Sequence, residues 1–211
     1  MAGLRADLEL ALQLAPPHLS LYQLTVEPNT VFAKFPPQLP DEDTAAAMHE
    51  WIEERTAGAG YEHYEVSAYA RPGHACRHNL NYWQFGDYLG IGAGAHGKLT
   101  DAARGSIVRT VRARHPAAYL AAAGPARVTE TREIASAERP FEFVLNALRL
   151  LDGFAPETFE ARTALPTGAL EPALEVACRR GLLTSRDGGG WRPTGLGFRF
   201  LNDLQQLFLP G

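Results

Sequence analysis

Cysteine is scarce in this chain: the 211 residues hold two, Cys76 and Cys178. They form no C-x-x-C pair, and two thiolates cannot hold a cysteine-ligated metal cluster. A buried thiol is the plain reading of each, and so low a count fits a reducing compartment. Long apolar runs are missing as well, since no stretch approaches the roughly 18 residues of a membrane span. The opening segment MAGLRADLELALQLAPP is amphipathic but carries Asp7 and Glu9. It lacks the basic end and small-residue cleavage site of a signal peptide, so a cytoplasmic location is expected. Positive charge is not in excess either: 20 Lys and Arg stand against 24 Asp and Glu, a net charge of −4. Nothing global therefore draws the chain to nucleic acid or to an anionic membrane. There is no internal repeat and no low-complexity tract. What remains is 45% hydrophobic and 21% charged, an ordinary globular composition of a length for one large domain or two small ones.

Leu4, Leu8, Ala11, Leu12 and Ala15 recur at helical spacing until Pro16-Pro17 stops them. HLSLYQLTVE predicts a strand from about residue 19 to 26, and EPNTVFAKFPPQLP a long loop. In DEDTAAAMHEWIEERTAGAG, Asp41 is placed to cap a helix that Gly58 and Gly60 end. YEHYEVSAY, residues 61–69, predicts the next strand. The helix–strand–helix–strand order predicts an α/β fold with a parallel sheet. DYLGIGAGAHG predicts a third strand over 88–96, with a hairpin after it around DAARG. HPAAYLAAAGPARVTE reads as helix then loop, and Gly124-Pro125 as a plausible domain boundary.

From Ser136 the texture changes to helices. RPFEFVLNALRLLDGF buries Phe141, Val144, Leu145, Leu148 and Leu151; PETFEART and LEPALEVACRRGLL follow. A small hairpin is expected around DGGG, and a last helix in LGFRFLNDLQQLFL. This is a mostly helical, winged-helix-like order of elements. Such modules often bind DNA, but the acids Glu157, Glu160, Glu171 and Glu175 favour a structural or protein-contact role here.

The segment CRHNLNYWQFGDYLGIGAGAHG, residues 76–97, concentrates the unusual residues. On a strand over 88–96, Gly90, Gly92 and Gly94 share one face, and a bare face weakens a strand unless another group must approach closely. That group is either a packed helix or a ligand lying against backbone at the strand's carboxyl end, where α/β folds place their sites. Gly92, Gly94 and Gly97 also spell G-x-G-x-x-G. A dinucleotide fingerprint needs a helix there and an acid about 20 residues on, but a hairpin is expected, and after Asp101 the next acid is Glu130. In HNLNYW, the His78 imidazole is chemically fit to be an axial ligand of haem iron, and aromatic rings suit a tetrapyrrole face. A lone loop histidine, however, is more often an ordinary hydrogen-bonding residue than a ligand, and chemistry alone favours that reading.

HLSLYQLTVEPNT, YEVSAYARPGHACRHNLNYW and DYLGIGAGAHG resemble the HemW-type haem chaperones. These are members of the radical S-adenosylmethionine superfamily similar to oxygen-independent coproporphyrinogen III oxidase. The resemblance runs over essentially the whole chain. HNLNYW followed at once by DYLGIGAGAHG favours the chaperone-like branch over the oxidases. The resemblance implies that residues 1–115 are the closing portion of a partial (β/α) radical-SAM barrel and 116–211 the appended carboxyl-terminal domain. It implies haem binding by His78, Asn79, Tyr82 and Trp83, with His74 and His96 as secondary candidates, and delivery to haem-requiring respiratory enzymes of the membrane. It also implies S-adenosylmethionine contacts from Thr25, Gly92, Gly94 and His96. The family carries its [4Fe-4S] cluster on C-x-x-x-C-x-x-C near the start of the barrel, and nothing in this sequence matches that motif. The chain is therefore expected to be a piece of a longer protein, without radical chemistry of its own. The alternatives are an oxidase of porphyrin synthesis, whose cluster cysteines would lie outside this sequence, or a non-catalytic remnant. An unpaired lateral barrel edge would invite self-association.

Overall fold

The computed structural model describes residues 1–210, which pack as two units, 1–76 and 77–210. In the first, helix α1 (Ala2–Leu14) ends as Ala15 turns into the left-handed region, before the two prolines. Strand β1 (His18–Ser20) follows, then the short helix α2 (Val31–Lys34) and the long helix α3 (Glu42–Gly58). Asp41 caps α3 as expected, accepting a bond from the Thr44 amide at 2.7 Å. Leu8 of α1, Ile52 of α3, Tyr61 and Tyr69 form the core of this unit.

The predicted strand over 61–69 is instead a tight hairpin, β2 (Glu62–Glu65) and β3 (Ala68–Ala70). The sheet order is β1-β3-β2 and both pairings are antiparallel, which corrects the parallel sheet expected. The physical reason is the reversal at residues 66–67, which turns the chain back after four residues. The predicted strand over 19–26 is correspondingly short. β3 offers only three residues to pair with, and the last backbone bond on that side runs from the Leu21 amide to Ser67 O at 2.8 Å.

The second unit opens with helix α4 (Arg77–Trp83). Strands β4 (His96–Asp101) and β5 (Ser106–Arg112) form the expected hairpin around residues 102–105. After helix α5 (Pro116–Ala121), strand β6 (Val128–Glu133), in a segment whose sequence predicts a loop, pairs with the free edge of β5. Then come α6 (Arg139–Ala147), α7 (Pro156–Thr163) and α8 (Ala173–Arg179), the hairpin β7 (Leu183–Ser185) and β8 (Trp191–Pro193), and helices α9 (Gly195–Arg199) and α10 (Leu201–Gln206). The single last helix expected is broken at Phe200, whose backbone leaves the helical region.

The buried stripe of α6 is Phe143, Val144, Ala147 and Leu148, at the i, i+1, i+4, i+5 spacing of one helix face. Leu145, expected inside, is 41% exposed. Phe143 meets Phe85, Phe154 and Phe159 edge-on, with centroids 5.1–6.0 Å apart. Arg139 is buried and donates to the carbonyls of Ile134, Thr163 and Gly105, tying the tip of the β4–β5 hairpin to the helices.

Candidate functional site

HNLNYW lies on α4, not in a loop. Helical spacing gives those letters a geometry: His78 and Tyr82, four apart, share one face, and Asn79 and Trp83 share the next. His78 is exposed and Tyr82 half-buried. Their rings meet edge-to-face at 4.8 Å. Asn79 and Trp83 are half-buried. The Arg149 guanidinium stands 4.3 Å from the Trp83 ring centre, and the Trp83 indole N–H is buried without a hydrogen-bond partner. Tyr82 packs on Tyr88 at 4.4 Å. Burial, and the neighbouring Tyr88, push the Tyr82 phenol above its ordinary pKa.

The helix stops abruptly. Phe85 turns left-handed and drives its ring into the core, 2% exposed. The Gly86 amide returns to Asn81 O at 2.7 Å, and the Asn81 side chain donates to Asp87 O at 2.9 Å. A side chain at position 86 would collide with Asn81, its Cβ lying 2.1 Å from Oδ1. Glycine is required there by space.

Beneath this stop lies a charge pair with a buried lysine, which sequence reasoning missed. Lys98 of β4 is 1% exposed, and its ammonium donates to Asp87 Oδ1 at 2.9 Å and to Phe85 O at 3.0 Å. It also stands 4.1 Å from the centre of the Phe85 ring. The Asp87 carboxylate accepts from the Thr100 amide and hydroxyl as well. Burial pushes the Lys98 ammonium below its ordinary pKa although Asp87 opposes the shift. Burial acts on Asp87 in the opposite direction, upward, but the bonds from Lys98 and Thr100 outweigh it and hold the carboxyl low. The one signal available beforehand was an acid, Asp87, directly after a helix stop.

Residues 88–96 are not a strand. Tyr88 and Lys98 form an isolated antiparallel bridge, and a loop between them carries Gly92 at φ 111° and Gly94 at φ 71°. Those values are why glycine stands at both positions, since L side chains are strained there. Both amides are engaged: Gly92 donates to the Tyr119 hydroxyl at 3.2 Å and Gly94 to Ala113 O at 2.9 Å. Gly90 is buried, and a Cβ on it would lie 2.4 Å from His96 O, so the close approach there is backbone to backbone. Leu89 and Ile91 are 70% and 80% exposed. His96 is exposed and opens β4, so it does not sit at the carboxyl end of a strand. Thr25 lies in the other unit, exposed and past the end of β1. His74 is exposed in that same unit.

Cys76 is half-buried and Cys178 exposed. Among the described residues no three His, Cys, Asp or Glu side chains gather as a metal site. A thiolate-held cluster does not fit these donors. The α4 face, by contrast, presents an accessible imidazole with an aromatic ring beside it, residues chemically compatible with a haem ligand. No helix among the described residues is long and apolar enough to cross a membrane.

Residues 134–200 match the family model of the HemN C-terminal domain. Coproporphyrinogen III oxidase (HemN) from Escherichia coli, solved as a radical SAM enzyme, shares the fold with a TM-score of 0.68 over 95% of this chain and 50% of that one, at 14% identity. This chain thus shares the mixed helix-and-sheet fold of that protein. By sequence it is similar to curated relatives named heme chaperone HemW. The Escherichia coli K12 protein is 46% identical over 96% of this chain, and the Haemophilus influenzae one 44% over 96%. The chain spans about half, 52%, of the length of each of these curated relatives and matches their carboxyl-terminal half.

Proposed function

We propose that this chain is the haem-carrying carboxyl-terminal portion of a HemW-type chaperone, and that α4 presents the haem face. His78 is the axial ligand, Tyr82 packs beside it, and Asn79 and Trp83 shape and support the surface. The observation that carries this reading is that HNLNYW folds as a helix with His78 and Tyr82 together on its accessible side. The His78 imidazole would hold haem there, with Tyr82 beside it, and an exposed carrier site suits transfer to an acceptor. The acceptors we assign are haem-requiring respiratory proteins of the membrane. The test is the Soret band on titrating haem into the wild type and into His78→Ala. The variant should lose the axial-ligand shift, whereas identical spectra and affinities would remove His78 from the site.

Several finer assignments rest on the resemblance alone. Residues 1–115 would derive from the closing part of a partial (β/α) barrel. The rest would be the appended domain, with the helices, β7, β8 and the closing helices arranged as a winged helix. In a complete protein, Thr25, Gly92, Gly94 and His96 would contact S-adenosylmethionine, through backbone more than side chain. β1 and β2 are edge strands, and an unpaired edge is a route to self-association.

A further inference from the structure

We propose that Arg109 of β5 is a positioning residue for the haem ligand, acting on His78 through two tyrosine rings. The proposal rests on the reading of His78 as that ligand. The chain of contacts is continuous within residues 77–211. The His78 ring meets Tyr82 edge-to-face at 4.8 Å, and Tyr82 packs on Tyr88 at 4.4 Å. The Tyr88 hydroxyl accepts from Arg109 Nη1 at 3.2 Å, while Arg109 Nη2 pairs with Glu142 of α6. Glu142 is in turn held by Arg132 of β6 at 3.1 Å.

Two features make this a device rather than a list of neighbours. Tyr88 lies in an isolated bridge, outside any regular strand, so the ladder alone does not fix its ring. The guanidinium, by contrast, is pinned at both ends, by the phenol and by a half-buried carboxylate. A short exposed helix cannot hold an imidazole to one orientation by itself, because helices of seven residues are marginal without tertiary support. The Tyr82–Tyr88–Arg109 stack supplies that support from below. It also joins the ligand to α6, the first helix of the matched residues 134–200.

The test uses the whole 211-residue chain. Arg109→Met removes the donor, Tyr88→Phe keeps the ring and removes only the acceptor, and Arg104→Met, on the exposed turn before β5, controls for loss of one positive charge. The first readout needs no haem: the ring resonances of His78, assigned by their disappearance in His78→Ala, report the ring current of Tyr82. Arg109→Met and Tyr88→Phe should both move them, and the double variant should move them no further than either single one. The second readout is haem affinity. An aromatic pair is worth about as much as a two- to tenfold change in binding constant, so Arg109→Met should weaken haem by about that factor and alter the axial-ligand spectrum.

His78 resonances that stay put in both single variants overturn the relay. Shifted resonances with unchanged haem affinity in Arg109→Met, while His78→Ala abolishes the ligand signature, overturn the positioning role. A loss of melting temperature in Arg109→Met with neither readout changed assigns Arg109 to stability alone and likewise overturns the proposal. If His78→Ala binds haem as the wild type does, the haem reading itself fails. The ring resonances then still show whether the relay exists.

Discussion

Asp87→Asn isolates what a buried lysine needs. Lys98 is 1% exposed, and its ammonium has one carboxylate, one carbonyl and one aromatic face around it. Removing one partner of a buried pair costs about 3–5 kcal/mol, because the survivor stays buried without its counter-charge. The Asp87 side chain is 37% exposed, so water screens part of that loss, and the expected cost is about 2 kcal/mol. Lys98→Met does the opposite: it fills the space of the stem and leaves a carboxylate that water and Thr100 still solvate. Its expected cost is about 1 kcal/mol or less. The double variant should therefore be more stable than Asp87→Asn alone. The assay is urea unfolding followed by Trp83 and Trp191 fluorescence in a Trp51→Phe background, which confines the signal to residues 77–211. The pH dependence adds a second check. Asp87 is held low in the folded chain, so its contribution is present above the ordinary carboxyl pKa near 4 and fades as pH falls through the lower folded value. Lys98 is lowered by burial, so the penalty of Asp87→Asn should shrink as pH rises through that lowered value, where a neutral amine needs no counter-ion. Equal costs for the two single variants, or a double variant as unstable as their sum, refutes the reasoning.

Two further outcomes follow from packing. Gly86→Ala puts a Cβ 2.1 Å from Asn81 Oδ1 and 2.7 Å from Asn81 O. It should cost about 1–3 kcal/mol and speed hydrogen exchange at the amides of residues 80–84; unchanged exchange there would show that Asn81 moves aside freely. Arg139→Met strands the carbonyls of Ile134, Thr163 and Gly105 around a side chain that is 4% exposed. Urea unfolding should register a loss of about 3 kcal/mol, and a much smaller loss would mean that water replaces the guanidinium.

Elements whose ends are set by local chemistry were legible in the sequence. Asp41 caps α3 through Thr44, the turn after Asp101 closes β4 on β5, and the glycines 188–190 sit at positive φ in the turn between β7 and β8. Elements set by distant partners were not. Residues 61–69 alternate as one strand would, and the reversal at 66–67 contains neither Gly nor Asn to announce it. The glycines of residues 90–94 suggested a bare strand face, whereas two of them answer to backbone angle and Gly90 to a neighbouring carbonyl. The segment 77–83 has no strong helix start, and its last turn is held by Phe85 and Gly86 beyond it. β6 depends on β5 offering a free edge, a fact of topology. The same holds for the site. His78, Asn79, Tyr82 and Trp83 were singled out by residue type and by resemblance, while the support beneath them, Asp87 with Lys98 and Tyr88 with Arg109, exists only once the hairpin brings those residues together.

That division of labour bears on what an exposed ligand can do. Under the proposed reading, an open site suits a carrier, because each additional buried contact slows release more than it speeds capture. Binding at an open face must then come from a ligand already held in place, so that little ordering remains to be done when the cargo arrives. On α4 the outward side carries the accessible imidazole, and the inward side is anchored by Phe85 in the core, by Gly86 against Asn81, and by the lysine pair beneath. The anchoring lies on the inward side of α4, and the side that bears the imidazole is left open.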